Sequence, residues 1–149
     1  AGRHAPVRPA AGPRGTSVEL RDLFFATPAR LKFLRGPQAE RMAAAEALRR
    51  LAMAAPEVAF ALRDLTGGGE RLLLRLDAEA GEGALRRRLA ALLGRGFAEG
   101  AVAVGEERDG FRLTGLAAPP AEARGAAAAQ YVFVNGRPVR DRLLLGALR

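Results

Sequence analysis

The stretch from residue 15 to residue 35, GTSVELRDLFFATPARLKFLR, constrains the fold most, because its residue pattern changes from that of a strand to that of a helix. Apolar and polar residues alternate in SVELR, which predicts a half-buried β-strand. Phe24 and Phe25 follow as a large apolar anchor, and we expect at least one of them to be buried against the next long helix. Thr27 before Pro28 is typical of a helix that begins at the proline.

The rest of the chain predicts further helices and strand pairs. The predicted elements are a helix over residues 38–55, strands near residues 58–62 and 72–76, a helix that ends at Gly94, strands over residues 101–107, 110–117 and 131–134, a helix after Asp141, and irregular segments over residues 1–14 and 119–129. An Asp-Gly pair and an Asn-Gly pair predict tight turns. Residues 78–83, AEAGEG, fit neither a strand nor a helix, so we place a domain boundary near residue 80.

Composition restricts the chemistry available to this chain. Its 149 residues include no cysteine and one histidine, His4, which excludes a disulfide framework and a thiolate metal site. A Ser-His-Asp site would need Ser17 together with His4, which lies in the irregular N-terminal segment. No apolar run reaches the roughly 18 residues needed to span a bilayer, and no signal-peptide core is present. We therefore expect a soluble, cytoplasmic protein.

The chain is strongly basic, with 24 Lys and Arg against 16 Asp and Glu and a net charge of +8. This imbalance fits a protein that binds a polyanion such as nucleic acid, and it fits equally well an arginine-rich solvated surface. Three consecutive arginines, Arg86, Arg87 and Arg88, form a local basic run in a predicted helix. Charge alone leaves both interpretations open.

Two segments resemble the MutL family of DNA mismatch repair proteins. Residues 15–35 are similar to the family segment GT-x-V-x-V-x-x-L-F-x-N-T-P-A-R-x-K-F-L, and residues 130–144, QYVFVNGRPVRDRLL, are similar to the family's strand, NGR turn and following helix. Ala26 stands where the family has Asn, so any hydrogen bond of that side chain is absent here. The resemblance implies an α+β fold, with the end of a GHKL-type ATPase α/β sandwich (residues 1–79) before the beginning of a ribosomal S5 domain 2-like transducer domain (residues 80–149).

The resemblance implies that the intact parent is an ATPase that uses ATP and Mg²⁺. Gly15 and Thr16 match the GT pair on the strand beneath the nucleotide, where the threonine hydroxyl helps to fix the adenine. The alternative for Thr16 is a strand residue whose hydroxyl bonds to the backbone. The E-x-x-x-N motif, which holds the water-activating Glu and the Mg-binding Asn, and the D-x-G-x-G turn do not occur in these 149 residues. We therefore expect no catalytic residue and no tightly bound cofactor in this chain, which should be inactive alone.

The resemblance also implies DNA binding without sequence preference. In the family, the NGR region borders a positively charged groove that forms when two ATP-bound N-terminal halves associate. Arg137, Arg140 and Arg142 thereby become candidate contacts to DNA phosphates. The alternative for Arg137 is an ion pair with Asp141. The implied partners of the intact parent are DNA, a second copy of itself and a mismatch-recognition protein of the MutS family, with no membrane contact.

Other functions stay open at the level of sequence. A stand-alone basic S5-like module that binds nucleic acid without nucleotide chemistry is the main alternative, and an interaction scaffold with solubilising arginines is another. A self-contained module should have closed sheets, whereas an internal fragment should expose apolar rows. Arg30 and Lys32 either contact phosphates or partners, or form salt bridges to Asp22 or Glu19.

Overall fold

The structure is a computed structural model that describes residues 5–9, 11–119 and 130–148. The chain forms two compact units, Ala1–Arg35 and Gly36–Arg149. The predicted boundary near residue 80 lies inside the second unit and stays a prediction. Helices and antiparallel strand pairs are both present, as expected for an α+β chain. The predictions for His4 and for residues 120–129 lie outside the described residues.

The first unit is built on turns. A 3₁₀ helix spans Pro28–Phe33 and begins at the proline, as predicted, although the Thr27 side chain makes no capping hydrogen bond. The predicted strand is not formed. Residues 16–21 belong to none of the three strand pairs found in the described chain. A strand needs a neighbour that takes up its backbone hydrogen bonds.

The aromatic pair in this unit does not behave as a buried anchor. Phe25 is 85% exposed and Phe24 is half-buried, so the prediction that one ring is buried is wrong. The turn is instead closed by backbone hydrogen bonds of 2.9 Å, from the Phe25 amide to the Asp22 carbonyl and from the Thr27 amide to the Phe24 carbonyl. Phe24 has a φ of +69°, which is unusual for a bulky side chain. Backbone geometry therefore fixes the turn without burying either ring.

The second unit begins with its longest helix and a hairpin. Helix α1 spans Pro37–Ala54, close to the predicted bounds, and starts with proline at its first turn. Strands β1, Phe60–Asp64, and β2, Arg71–Leu76, pair antiparallel with a bulge after Leu62. The predicted hairpin is thus confirmed. Its core contains Leu76 together with Ala52 and Met53 of α1.

Two helices follow where the sequence predicted one. Helix α2 spans Ala84–Leu93 and ends at Gly94, as predicted, while α3, Arg95–Gly100, starts directly after it. The Arg86 guanidinium joins the two, because it donates to the carbonyl oxygens of Ala98 and, at 3.0 Å, of Ala101. A side chain from the predicted basic run thereby donates to carbonyl groups at the C-terminal end of the next helix.

Arg88 occupies the centre of the second unit. Its side chain is 1% exposed, and its Nη2 donates to the carbonyl oxygens of Pro56 and Val58 at 2.7 Å and of Asp77 at 2.9 Å. The guanidinium carbon lies 5.7 Å from the centre of the Phe60 ring. One side chain of α2 therefore satisfies carbonyls before β1 and after β2. Arg88 of the local basic run is therefore a buried structural residue.

The remaining elements are two more hairpins and a short helix. Their bounds are β3 Val102–Arg108, β4 Phe111–Ala117, β5 Val132–Val134, β6 Arg137–Val139 and α4 Arg142–Ala147. The β3–β4 turn at Asp109 and Gly110 has φ angles of +52° and +77°, the geometry that an Asp-Gly pair favours. Strand β6 is an addition to the sequence prediction, which had only a turn between β5 and the last helix.

The Arg88 contacts generate a stability prediction. Replacing Arg88 by Met should lower the free energy of unfolding by about 2–4 kcal/mol, because three partly buried backbone carbonyls lose a charged donor. Urea-induced unfolding of the chain, monitored by circular dichroism, measures this change. The matched control is Arg49→Met on the exposed side of α1, which should change stability by less than about 0.5 kcal/mol. Equal unfolding midpoints for the two variants would contradict the role of Arg88.

The β1–β2 turn generates a pH prediction. The Thr66 hydroxyl (2.7 Å) and amide (3.0 Å) donate to the Asp64 carboxylate, which Arg41 also approaches to 3.1 Å, and these contacts lower the pKa of Asp64. The ionised form is therefore favoured in the folded chain. Its contribution to stability should be present above about pH 4, the ordinary pKa of an Asp, and should disappear as the pH falls through the lower folded value.

Carbon-detected NMR titration of Asp64 tests this prediction. Thr66→Val removes the hydroxyl donor and should raise the pKa of Asp64, whereas Thr114→Val, the same change in the β3–β4 hairpin, should leave it where it is. An Asp64 titration curve that is identical in both variants would show that the Thr66 hydroxyl does not hold the carboxylate.

Candidate nucleic-acid interface

The NGR hairpin, residues 132–139, carries the candidate interface. Val132 pairs with Val139 and Val134 with Arg137 across the two short strands. The turn residues Asn135 and Gly136 have φ angles of +49° and +75°, which an Asn-Gly pair adopts at low cost. The tight turn ends directly at Arg137, whose side chain is exposed. The turn chemistry predicted from sequence is therefore confirmed.

Helix α4 continues this surface. The Asp141 carboxylate accepts hydrogen bonds from the backbone amides of Leu143 at 2.9 Å and Leu144 at 3.0 Å, which caps the first turn of the helix. Arg140 and Arg142 flank this cap and are both exposed. The hairpin and the capped helix thus bring three exposed arginines, Arg137, Arg140 and Arg142, into one short segment of the chain.

The charges around these arginines differ. Asp141 is engaged in capping, and no ion pair joins it to Arg137 in the described chain, so the alternative for Arg137 is not formed. Arg142 also has no acidic side chain within ion-pair distance among the described residues. Arg140 lies 4.0 Å from Glu46 of α1. Two of the three candidate phosphate contacts therefore carry positive charge that no described carboxylate neutralises.

The start of the hairpin is held against α1. The Arg50 guanidinium lies 4.8 Å from the centre of the Tyr131 ring, within the range of a cation–π contact. Arg50 also pairs with Glu46 one helical turn away, at 2.9 Å. The sequence does not predict this cluster of Glu46, Arg50 and Tyr131, because Tyr131 is far from the other two residues in the chain. The only sequence signal is the i, i+4 spacing of Glu46 and Arg50.

The candidate nucleotide residues lie in the first unit. Gly15 has a φ of +144°, and both Gly15 and Thr16 are exposed. The Thr16 hydroxyl has no hydrogen-bond partner in the described part of the first unit, so its alternative, a bond to the backbone, is not formed. Among the described residues there is also no group of three or more His, Cys, Asp or Glu side chains able to hold a metal ion. These residues alone do not form a nucleotide pocket, and their role stays a prediction.

Arg30 and Lys32, the other basic residues considered from sequence, do not form the predicted salt bridges within residues 11–35. Glu19 pairs with Arg21 at 2.6 Å, rather than with Arg30 or Lys32. The alternative for these two residues, a contact to phosphates or to a partner, stays a prediction.

No helix in the described ranges is long and apolar enough to cross a membrane.

Comparison with known proteins adds a family to this geometry. The family model for the C-terminal domain of DNA mismatch repair proteins matches residues 89–149, which include the NGR hairpin and α4. The DNA mismatch repair protein MutL of Rhodospirillum rubrum is 52% identical over 150 aligned positions, covering 99% of this chain, and that of Phenylobacterium zucineum is 56% identical over 146 positions, covering 96%. The chain spans 23% of the length of each of these relatives.

A solved structure shows the same likeness in three dimensions. The Aquifex aeolicus MutL ATPase domain complexed with ADP has a TM-score of 0.63 and 29% sequence identity, over 87% of this chain and 45% of that domain. The predicted α+β fold with a GHKL-type ATPase portion is therefore confirmed. The sequence identities cover nearly the whole chain, including both segments that carried the resemblance. This chain belongs to the MutL family of DNA mismatch repair proteins.

Proposed function

We propose that this chain is part of a DNA mismatch repair protein that binds and hydrolyses ATP to associate its N-terminal halves, binds DNA without sequence preference and couples mismatch recognition to strand processing. The observation that carries this proposal is a sequence identity of 52–56% with MutL proteins over 95–99% of the chain. The intact protein would use ATP and Mg²⁺, form a homodimer in the cytoplasm and work with a protein of the MutS family.

The nucleotide part of the proposal draws on the solved relative, an ATPase domain with ADP bound. In this chain, Gly15 and Thr16 would line one wall of the adenine site, with the exposed hydroxyl of Thr16 free to donate to the base directly or through water. The residues that activate water and bind magnesium would come from outside the 149 residues, because the chain lacks the E-x-x-x-N and D-x-G-x-G motifs. This chain would therefore bind and orient, and would not supply the catalytic base.

The DNA part of the proposal draws on the exposed arginines of the second unit. Arg137, Arg140 and Arg142 would contact phosphates, since guanidinium groups bind phosphate oxygens strongly and without regard to base sequence. The NGR hairpin and α4 contain one aromatic residue, Phe133, and it is half-buried, so base stacking is not the expected mode. Binding should accordingly be salt-sensitive and sequence-independent.

Exposed apolar residues favour this proposal over the stand-alone basic module. The first unit exposes several large apolar side chains, namely Val18, Leu20, Phe25 and Phe33. Each described sheet has only two strands and thus two open edges. Apolar rows and open edges fit a segment that packs within a larger domain better than a self-contained module. The division into an ATPase part, residues 1–79, and a transducer part, residues 80–149, belongs to the same proposal.

The missing motifs generate a prediction about activity. The purified 149-residue chain should show no magnesium-dependent ATP hydrolysis, because its sequence lacks the E-x-x-x-N motif that supplies the water-activating Glu. A phosphate-release assay measures this, with the full-length protein that contains the chain as the positive control. Turnover that co-purifies with the chain through successive columns would contradict the assignment of catalysis to residues outside it.

The exposed hairpin generates a prediction about DNA binding. Arg137→Glu in the full-length protein should weaken binding to duplex DNA and reduce the slope of log affinity against log salt concentration by about 0.9 for each phosphate that the side chain no longer neutralises. The matched control is Arg108→Glu at the exposed β3–β4 turn, which makes the same change in charge. Fluorescence anisotropy with a labelled duplex, with an ATP analogue present, measures both. Equal slopes for wild type and Arg137→Glu would exclude Arg137 as a phosphate contact.

A further inference from the structure

We propose that Glu46 of α1 competes with DNA phosphate for Arg140 and thereby limits the DNA affinity of the surface formed by the NGR hairpin and α4. The inference rests on the proposed DNA-binding function and adds to it a residue nearly one hundred positions away in the chain. It makes Glu46 a residue that acts on DNA binding through Arg140.

The geometry places one carboxylate oxygen between two arginines. Glu46 Oε1 lies 2.9 Å from Arg50 Nε and 4.0 Å from Arg140 Nη2. Among the three candidate phosphate-binding arginines, Arg140 is the one with an acidic side chain within ion-pair distance in the described chain. The Arg140 guanidinium therefore has two alternative anionic partners, the Glu46 carboxylate and a DNA phosphate.

The carboxylate is held in place before DNA arrives. The Arg50 side chain is 11% exposed and is packed over the Tyr131 ring at 4.8 Å, so it provides a fixed anchor for Glu46. The Glu46 side chain is 31% exposed, whereas Arg140 is 70% exposed and extends into solvent. Because Glu46 is already ordered, pairing restricts only the Arg140 side chain, which reduces the entropic cost of the contact.

Competition has a direct consequence for binding. When Arg140 moves to a phosphate, it leaves the Glu46 carboxylate with Arg50 as its ion-pair partner and close to the DNA backbone. Both the broken ion pair and the nearby negative charge oppose binding, and both effects weaken as salt screens the charges. Arg137 and Arg142 have no such partner to give up among the residues that the structure describes, so the contribution of Arg140 to DNA affinity should be the one that Glu46 reduces.

The expected size of the change in DNA affinity follows from the geometry of the ion pair between Glu46 and Arg140. A solvent-exposed ion pair at this separation is weak, which limits the gain on removing the carboxylate to about two- to fivefold in affinity at low salt. Glu46→Gln is the appropriate change, because it keeps the length and shape of the side chain while the negative charge is removed. The gain should shrink towards none as the salt concentration is raised.

A double-mutant cycle in the full-length protein tests the proposal. Wild type, Glu46→Gln, Arg140→Gln and the double variant are titrated with a fluorescently labelled duplex of mixed sequence in the presence of an ATP analogue. Glu46→Gln should raise affinity about two- to fivefold when Arg140 is present and by a much smaller factor when Arg140 is replaced. Conversely, Arg140→Gln should cost more affinity in the Glu46→Gln background than in wild type.

Controls separate competition from other effects. Glu57→Gln removes an exposed acid after α1 and should leave the affinity near the wild-type value, which accounts for the change in net charge. Melting temperatures check that Glu46→Gln keeps the fold. If it does not, Glu46→Asp keeps the charge for Arg50 but shortens its reach to Arg140, and it should give a smaller gain that likewise depends on Arg140.

The outcomes distinguish this inference from the function on which it rests. Failure of the wild-type protein to bind duplex DNA would overturn the proposed function and the inference together. Binding by wild type with an equal effect of Glu46→Gln whether or not Arg140 is present would overturn the inference alone, since the carboxylate would then act only by long-range repulsion. A gain that requires Arg140 and fades with salt would support it.

Discussion

The second unit depends on one buried cation, the guanidinium of Arg88. Burying a charge is costly, and three backbone carbonyls from residues 56–77 offset part of that cost by accepting from Nη2, while Nε and Nη1 are buried without a hydrogen-bond partner in the described chain. These carbonyls lie before β1 and after β2, outside the β1–β2 ladder, and the Pro56 carbonyl also accepts from the Glu79 amide at 2.9 Å. Arg88 donates to all three from α2, which fixes the helix on the hairpin. Without this side chain, the three carbonyls would be left without a charged donor inside the unit.

The Arg88 hydrogen bonds also bear on the proposed division into an ATPase part and a transducer part near residue 80. Arg88 lies on one side of that position and its acceptors on the other. Arg87 adds one more hydrogen bond across that position, to the Glu79 carboxylate at 2.7 Å. If the two parts are separate domains in the intact protein, their junction is tied by several hydrogen bonds and should move as one body rather than as a free hinge.

Local chemistry explains which features can be predicted from the sequence. The Asp-Gly and Asn-Gly turns, the start of the 3₁₀ helix at Pro28 and the end of α2 at Gly94 all follow from the backbone preferences of one or two residues, and the structure confirms them. Contacts between residues that are far apart in the chain account for the features that the sequence did not predict. No local pattern reveals that the acceptors of Arg86 and Arg88 lie more than ten residues away, so both residues resemble solvated charge in the sequence. The predicted burial of at least one of Phe24 and Phe25 fails for a similar reason, because no local pattern specifies what an aromatic side chain packs against.

The same division between local and long-range information applies to the candidate interface. The family resemblance pointed to Arg137, Arg140 and Arg142, and local turn chemistry explains why they are presented at the surface. Their unequal electrostatic surroundings come from α1, through Glu46 and Arg50, and only the folded chain brings these groups together. A weak ion pair of this kind contributes little to stability. Its effect on ligand affinity can still be measured, because the phosphate must replace the carboxylate at the same guanidinium, so that even a severalfold preference appears directly in the dissociation constant.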